Sequence, residues 1–518
     1  MYATVRRNAQ ALATTIAAGS QTLSRPLIQK PALYGQPLHP SHPHLVQPNE
    51  LTAGIPHEEY ERRRRALMES LPDNSMVVAA AAPVTFMSGE IFHKYRQNSD
   101  FWYLTGFEEP DSAVILEKNS TSRGYSMTLF VNEKDPSEEK WSGTRTGVRV
   151  AGEAFRADDA QPIASFPKHL GSIASSYSHI FTDPQSHEDD PAHKKLLKYL
   201  SNPLRKRARE IDTTMSTISG SRRRPLKSKV APLRAIKSEA ERRVMRAAAD
   251  ISGRAHAKTM RFTHPGMSEA ALCAHFEYLC CLDGAQRLAY VPVVASGPNA
   301  LIIHYTSNNM PVQNDELLLI DAGCEYNGYA SDITRTYPAN GTFTKPQRDL
   351  YAAVLSAQKA LVALCHESAG ETLSSLHATS CRLLRAELAQ IGFNVSTSDL
   401  ARELYPHSLS HPIGIGPYIL FFSLDCPCSS FFYILDLHES HTISRAAHLQ
   451  EGMVITIEPG IYVPPLPQYP KAFHNIGIRI EDEVLVGKTD PIVLTVSAPK
   501  EIVDVEGACQ GLLGLEPY

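Results

Sequence analysis

The run LLLIDAGCEYNGYASDITRTYP, residues 317–338, sets Asn327-Gly328 between two apolar segments. This dipeptide is the strongest short-range signal for a β-hairpin. A two-residue turn centred there places Asp321 opposite Thr334. Asp332 shares the parity of Thr334 and therefore lies diagonally across from Asp321 on one face of the ribbon. Two carboxylates held together in apolar surroundings repel each other, and a bound cation is the cheapest way to keep both ionised. Two surface aspartates flanking a turn would explain the hairpin equally well if it stood alone.

Further along, YPHSLSHPIGIG carries His407 and His411, EGMVITIEPGIY carries Glu458, and NIGIRIEDE carries Glu481. Glu458 and Glu481 each lie near the end of an alternating apolar strand pattern. Asp321, Asp332, His411, Glu458 and Glu481 together offer four carboxylates and one imidazole. Two divalent ions would balance that charge, and the oxygen-rich set favours manganese(II), with cobalt or zinc as alternatives.

The organisation of the rest bears on where such a site can reside. Residues 1–49 contain Arg6, Arg7, Arg25 and Lys30 but no Asp or Glu, in a chain of net charge −4. Val5, Ala9, Leu12 and Ile16 recur at helical spacing beside Arg6 and Arg7, a pattern of mitochondrial transit segments. The Pro- and His-rich stretch 25–48 predicts no packed structure, so the fold is expected to begin near Leu51. A helix over 57–70, its ERRRR run read as a solvated face, leads into an α/β layer with apolar, β-rich runs at 76–80, 101–107, 113–116 and 127–131, and helical stretches such as 191–200. Ser-, Arg-, Lys- and Pro-rich residues 213–232 read as a linker, which places a domain boundary near 225. Ser238 and Glu241 then form a capping box that opens a new helix. The nine cysteines are odd in number and absent from the first 272 residues, which argues against a secreted disulfide framework. The mild net charge excludes a globally basic nucleic-acid binder, and no apolar run is long enough to cross a bilayer.

The five candidate ligands, in this order and these contexts, resemble the metal-binding set of the aminopeptidase P (Xaa-Pro aminopeptidase) family of creatinase-fold metallopeptidases. YRQNSDFWYLTGF, residues 95–107, independently resembles the most recognisable stretch of that family's N-terminal domain. With the transit segment, the chain is most similar to the mitochondrial members, the intermediate-cleaving peptidases. The resemblance implies an α+β architecture: a "pita-bread" catalytic domain over 226–518, a smaller α/β domain over 51–225, and a transit segment over 1–50. It implies two divalent ions that acidify a water for attack on the first peptide bond. Asp321 would chelate one ion, Asp332 and Glu481 would bridge both, and His411 and Glu458 would complete the other, with Glu458 also handling the water proton. His304 and His438 resemble histidines that contact the scissile carbonyl and leaving group, and His407 matches a pocket histidine. Arg479 and Tyr462 sit beside the site as substrate contacts, although Arg479 could equally neutralise Glu481 or Glu483. Asp100 matches an acidic residue that, in oligomeric members, reaches a neighbouring subunit's site, although for Asp100 and Tyr462 a structural role is the favoured reading. Substrates would be N-termini of peptides or imported proteins, the protein a homodimer or homotetramer, and its compartment the mitochondrial matrix.

The chain departs from the pattern at one place. The family spaces its metal-binding and following histidines seven residues apart, whereas His411 and His438 are 27 apart. Removing residues 416–435 restores the spacing. That segment holds six aromatics, two cysteines (Cys426 and Cys428, which lack the companions of a zinc site) and no Lys, Arg or Glu. Its length corresponds to a short intron translated in frame; a genuine surface loop is the alternative. The insertion raises a second functional reading, a catalytically impaired creatinase-fold binding protein. Cys324, inside the metal hairpin, reads as a packing residue.

Overall fold

The computed structural model describes residues 30, 32–89, 91–183, 218, 220–415 and 444–517, together with the backbone of two short strands, Tyr418–Ile419 and Leu435–Asp436. The helix expected at 191–200, His438 and the cysteines Cys426 and Cys428 lie outside the described residues.

The first layer is a six-stranded mixed sheet in the order Arg223–Arg224, His179–Phe181, Ser75–Ala80, Ala113–Lys118, Tyr125–Val131 and Asp159–Pro162. Its central strand Ser75–Ala80 is buried at every residue, as a strand covered on both faces must be. Three expectations fail in this region. The apolar run at 101–107 is not a strand but the helix Ser99–Thr105. Asn98 caps it by accepting from the Asp100 and Phe101 backbone N–H groups, and Gly106, at φ 70°, ends it, so local capping overrides β-propensity. Within the helix His57–Glu69, Arg63 and Arg64 are buried rather than solvated. Arg64 donates to Leu104 O at 2.8 Å and to Tyr125 Oη at 2.8 Å. Finally, the described part of the Pro- and His-rich stretch is packed. Leu38 and Val46 are buried, and the Gln36 side chain donates to Gly106 O at 2.9 Å while accepting from Glu108 N at 2.8 Å. A segment without periodicity thus folds by satisfying backbone groups of the helix turn it covers.

The expected linker also carries structure where it is described. Arg223–Arg224 closes the edge of the first sheet, and Lys227–Ala235 is a helix. The helix Glu239–Phe262 follows, with both arms of the Ser238–Glu241 capping box formed.

The second domain is α+β. Strands Val293–Ser296, Leu317–Asp321 and Thr334–Pro338 form one antiparallel sheet, and Val454–Ile457, Asp482–Leu485 and Ile492–Val493 another. The ribbon Gly460–Val463 with Ile476–Arg479 runs beside them. Helices Glu239–Phe262, Glu269–Leu282, Lys345–Val362 and Leu373–Gln390 cover the sheets, whose apolar faces supply the main buried clusters. Asp321 pairs with Thr334, as the Asn-Gly turn requires, and Asn327 and Gly328 both have positive φ. Between the paired stretches the ribbon bends at Gly323, where a Cβ would lie 1.8 Å from Ser331 O, so no larger residue fits.

The two domains are joined by buried charge. Arg63 Nη2 lies 3.1 Å from Glu241 Oε1 and donates to Tyr329 Oη at 2.9 Å, while Trp102 stands edge-on to Tyr329. Arg96 reaches Glu325 on the metal hairpin at 2.6 Å.

Candidate metal centre

Each candidate ligand arrives on a separate piece of backbone. Asp321 ends its strand, and Asp332 lies just before Thr334 on the return strand. His411 and Glu458 are set side by side by a short ladder. Thr456 N donates to His411 O at 3.0 Å, and Glu458 N donates to Leu409 O at 3.0 Å. Glu481 occupies the bend between Ile476–Arg479 and Asp482–Leu485, with its N–H on Thr334 O at 3.1 Å.

The side chains converge. Tyr290 Oη lies 2.5 Å from Asp321 Oδ1 and 2.7 Å from Asp332 Oδ1, spanning the two aspartates. His411 Nε2 is 3.4 Å from Asp332 Oδ2 and 3.6 Å from Glu458 Oε1. Ligand atoms of Asp332, His411 and Glu481 all lie within 4.8 Å of one another. Thr334 Oγ1 donates to Glu481 Oε2 at 2.7 Å, whereas Glu481 Oε1 is buried and accepts no hydrogen bond from the described residues. Buried carboxylate oxygens ordinarily find a donor. One left open amid two carboxylates and an imidazole fits a site built to take divalent cations.

Electrostatics agree with the geometry. Burial raises Asp332 above the usual carboxylate range, and burial with the neighbouring Asp332 charge lifts Glu481 well above it. Burial pushes Glu458 up to about 8, with His411 opposing and Asp332 adding. For His411 burial disfavours the charge, but its hydrogen bond with Asp332 and the charge of Glu458 outweigh that and raise it to about 9. The cluster therefore seeks positive charge, from protons or from metal.

Around it, Arg479 is buried and donates to Asp321 Oδ2 at 2.6 Å, to Tyr462 Oη at 2.7 Å and to Thr334 Oγ1 at 3.1 Å. Among its described contacts the carboxylate partner is Asp321, not the expected Glu481 or Glu483. Glu483 turns instead toward the backbone of the hairpin and accepts from Asp332 N at 2.7 Å. His407 Nε2 is 3.0 Å from Tyr462 Oη and its Nδ1 is 3.9 Å from Glu458, while burial and then the Arg479 charge lower its pKa to about 3. His304 is exposed, and its pKa is lowered by burial of part of the ring and by Arg479.

Asp100 does not join this group. It is buried at 6% exposure and receives Arg234 Nη1 at 2.7 Å, with Arg234 also bonded to Ile415 O at 2.7 Å. Within one chain this aspartate locks the domains together. Tyr290 is the residue that sequence reasoning missed; it follows no turn or strand signal, and only the fold brings it onto both aspartates.

Residues 243–488 match the model of metallopeptidase family M24, and residues 60–181 match the aminopeptidase P N-terminal domain. The chain is 37% identical over 472 residues to intermediate cleaving peptidase 55, mitochondrial, of Arabidopsis thaliana, covering 91% of this chain and 87% of that one. This chain belongs to the aminopeptidase P branch of metallopeptidase family M24. Xaa-Pro aminopeptidase 3 of Homo sapiens is 34% identical over 491 residues, 92% of this chain and 90% of that one. The crystal structure of Icp55 from Saccharomyces cerevisiae superposes with a TM-score of 0.76 at 35% identity, covering 89% of this chain and 99% of that one. The M24 chain described here has their pita-bread fold and is a metal-dependent aminopeptidase.

Proposed function

We propose that this M24 enzyme holds two divalent ions, manganese(II) in its native state, and removes one residue from the N-termini of peptides and of imported proteins in the mitochondrial matrix. The buried Glu481 Oε1 carries the reading: the other carboxylate oxygen is already occupied by Thr334, so this one would be available to a cation. Asp321, Asp332, His411, Glu458 and Glu481 would hold the ions, which when bound supply Lewis-acid charge and lower the pKa of water. The protein's own groups do the rest. Tyr290 and Arg479 fix the two aspartate carboxylates in orientation. Glu458, between His411 and His407, would take the water proton and return it to the leaving nitrogen, a role its position between the two imidazoles supports. His304, His407 and His438 are assigned to the scissile carbonyl and leaving group, where donors stabilise the tetrahedral oxyanion. Tyr462, hydrogen-bonded to His407 and accepting from Arg479, lines the substrate side. The basic, Arg-bearing first residues and the mitochondrial relative support the compartment.

Metal analysis tests the proposal. Purified protein loaded with manganese should carry two ions per chain, and Asp332→Ala and Glu481→Ala should each lose metal and peptide hydrolysis together. Near-normal activity in either variant would overturn the assignment. Fusing residues 1–50 to a reporter should deliver it to mitochondria, and a cytosolic fusion would refute the location.

A further inference from the structure

One carboxylate outside the metal cluster organises the loop that presents His304. Glu269 opens the helix Glu269–Leu282 and is completely buried. Its Oε1 accepts from Ser296 N at 2.8 Å, Ser296 Oγ at 2.7 Å and Asn299 Nδ2 at 2.9 Å. Its Oε2 accepts from Tyr305 Oη at 2.9 Å and Met310 N at 3.0 Å. All five donors belong to residues 296–310, and they bracket His304 on both sides.

A glutamate at a helix start commonly serves the helix, whose free N–H groups favour negative charge nearby. Here both oxygens are spent on another segment instead. Because the carboxylate has lost its water, five donors are what keep it charged and fixed. The loop is fastened elsewhere too. Asn308, at φ 44°, ties Val294 N and Pro292 O at 2.9 Å each. On its far side the loop rests on the Arg479 strand at Gly477, where a Cβ would lie 2.6 Å from Ala300 O. Tyr305 is thus buried and anchored while its neighbour His304 is exposed. The geometry of 296–310 leaves His304 little freedom except about its own side chain.

We infer that Glu269 is a positioning residue for hydrolysis, acting through the 296–310 loop to hold His304 in position for the substrate. The inference rests on the reading of His304 as a substrate-contacting group. It makes no contact with the metal ligands, so its loss should spare the ions and impair only the alignment of a transition-state donor.

The test is a double-mutant cycle on manganese-loaded full-length protein, with kcat, KM and metal content measured for Glu269→Gln, His304→Ala and the double variant. The amide of Glu269→Gln faces one set of loop donors with an NH₂ group. We expect kcat/KM to fall by about 10–10² fold, the scale of a misplaced catalytic group, chiefly in kcat, with two ions retained. His304→Ala alone should cost about 10²–10³ fold, as loss of an oxyanion donor does. In the His304→Ala background Glu269→Gln should add less than about threefold, since residues acting as a unit are non-additive. Losses that multiply, or a Glu269→Gln enzyme with normal kinetics, overturn the positioning role. Normal kinetics in His304→Ala would instead overturn the reading of that histidine. Should Glu269→Gln fail to fold, Tyr305→Phe removes one of the five bonds without adding a donor. Its smaller kcat loss must likewise vanish in the His304→Ala background.

Discussion

The Arg479 guanidinium is bonded to Asp321 Oδ2 at 2.6 Å while its other arm holds Tyr462 Oη at 2.7 Å. One planar cation thereby links the carboxylate proposed to hold metal to the tyrosine proposed to face substrate. Lysine lacks this fork: its three donors radiate from one nitrogen, whereas Arg479 reaches the two acceptors from separate nitrogens. Arg479→Lys should therefore retain metal but lose about 10²-fold in kcat/KM through misalignment. Metal analysis alongside kinetics separates this from a ligand-holding role, in which metal and activity would fall together.

Metal removal should invert the pH dependence of stability. Asp332, Glu458 and Glu481 all have carboxyl pKa values raised by burial, and His411 is raised as well. A raised folded-state pKa means that the native protein binds protons more tightly than the unfolded chain, so that stabilisation is present at low pH and lost as pH rises. For Glu458 the window runs from the ordinary carboxylate value near ~4 to about 8. Chelated protein should lose Tm through this window, and added manganese, which replaces the protons, should restore more Tm at pH 8 than at pH 5. A metal-induced gain that is constant or shrinks with pH would contradict the buried cluster.

Much of this was legible because the chemistry is local in sequence. The Asn327-Gly328 turn sets Asp321 against Thr334 through strand parity alone, and the Ser238–Glu241 box marks the start of its helix. What escaped depends on partners distant in the chain. Arg63 and Arg64 look like a solvated run until Glu241, Tyr329 and Leu104 are brought to them. For Asp100 a structural role is the favoured reading of the sequence, but its partner Arg234, 134 residues away, was not legible. Tyr290 and Glu269 meet their partners through loops whose paths no periodicity reveals.

The Arg63–Glu241 pair should prove essential to domain docking. Both side chains are almost fully buried, at 0% and 1% exposure. Removing one partner of such a pair leaves the other charge uncompensated, at a cost of about 3–5 kcal/mol. Arg63→Ala should lower stability by that order in urea unfolding. Replacing both, as Arg63→Met with Glu241→Gln, which keeps the side-chain acceptor of the Ser238 capping box, should recover much of it. Equal loss in the single and double variants would show that the pair contributes packing rather than charge.

Deleting residues 416–435 tests whether the insertion limits turnover. Tyr418–Ile419 pairs antiparallel with Leu435–Asp436, so the ends of the segment meet and Ile415 can be rejoined to Asp436 without disturbing the strands that carry the ligands. All five candidate ligands lie outside it, and only the spacing from His411 to His438 changes. Deletion should therefore leave metal stoichiometry unchanged. If the insertion displaces His438, the undeleted chain lacks one transition-state donor, and deletion should raise turnover by about 10²–10³ fold with little change in KM. Equal turnover in both proteins would mean that the segment folds away and returns His438 to the site. Loss of metal on deletion would mean that the segment supports the ligands themselves. Transcript sequencing across the 60 nucleotides that encode these 20 residues provides the independent check: mature messages lacking them identify an intron, and uniform retention identifies a loop.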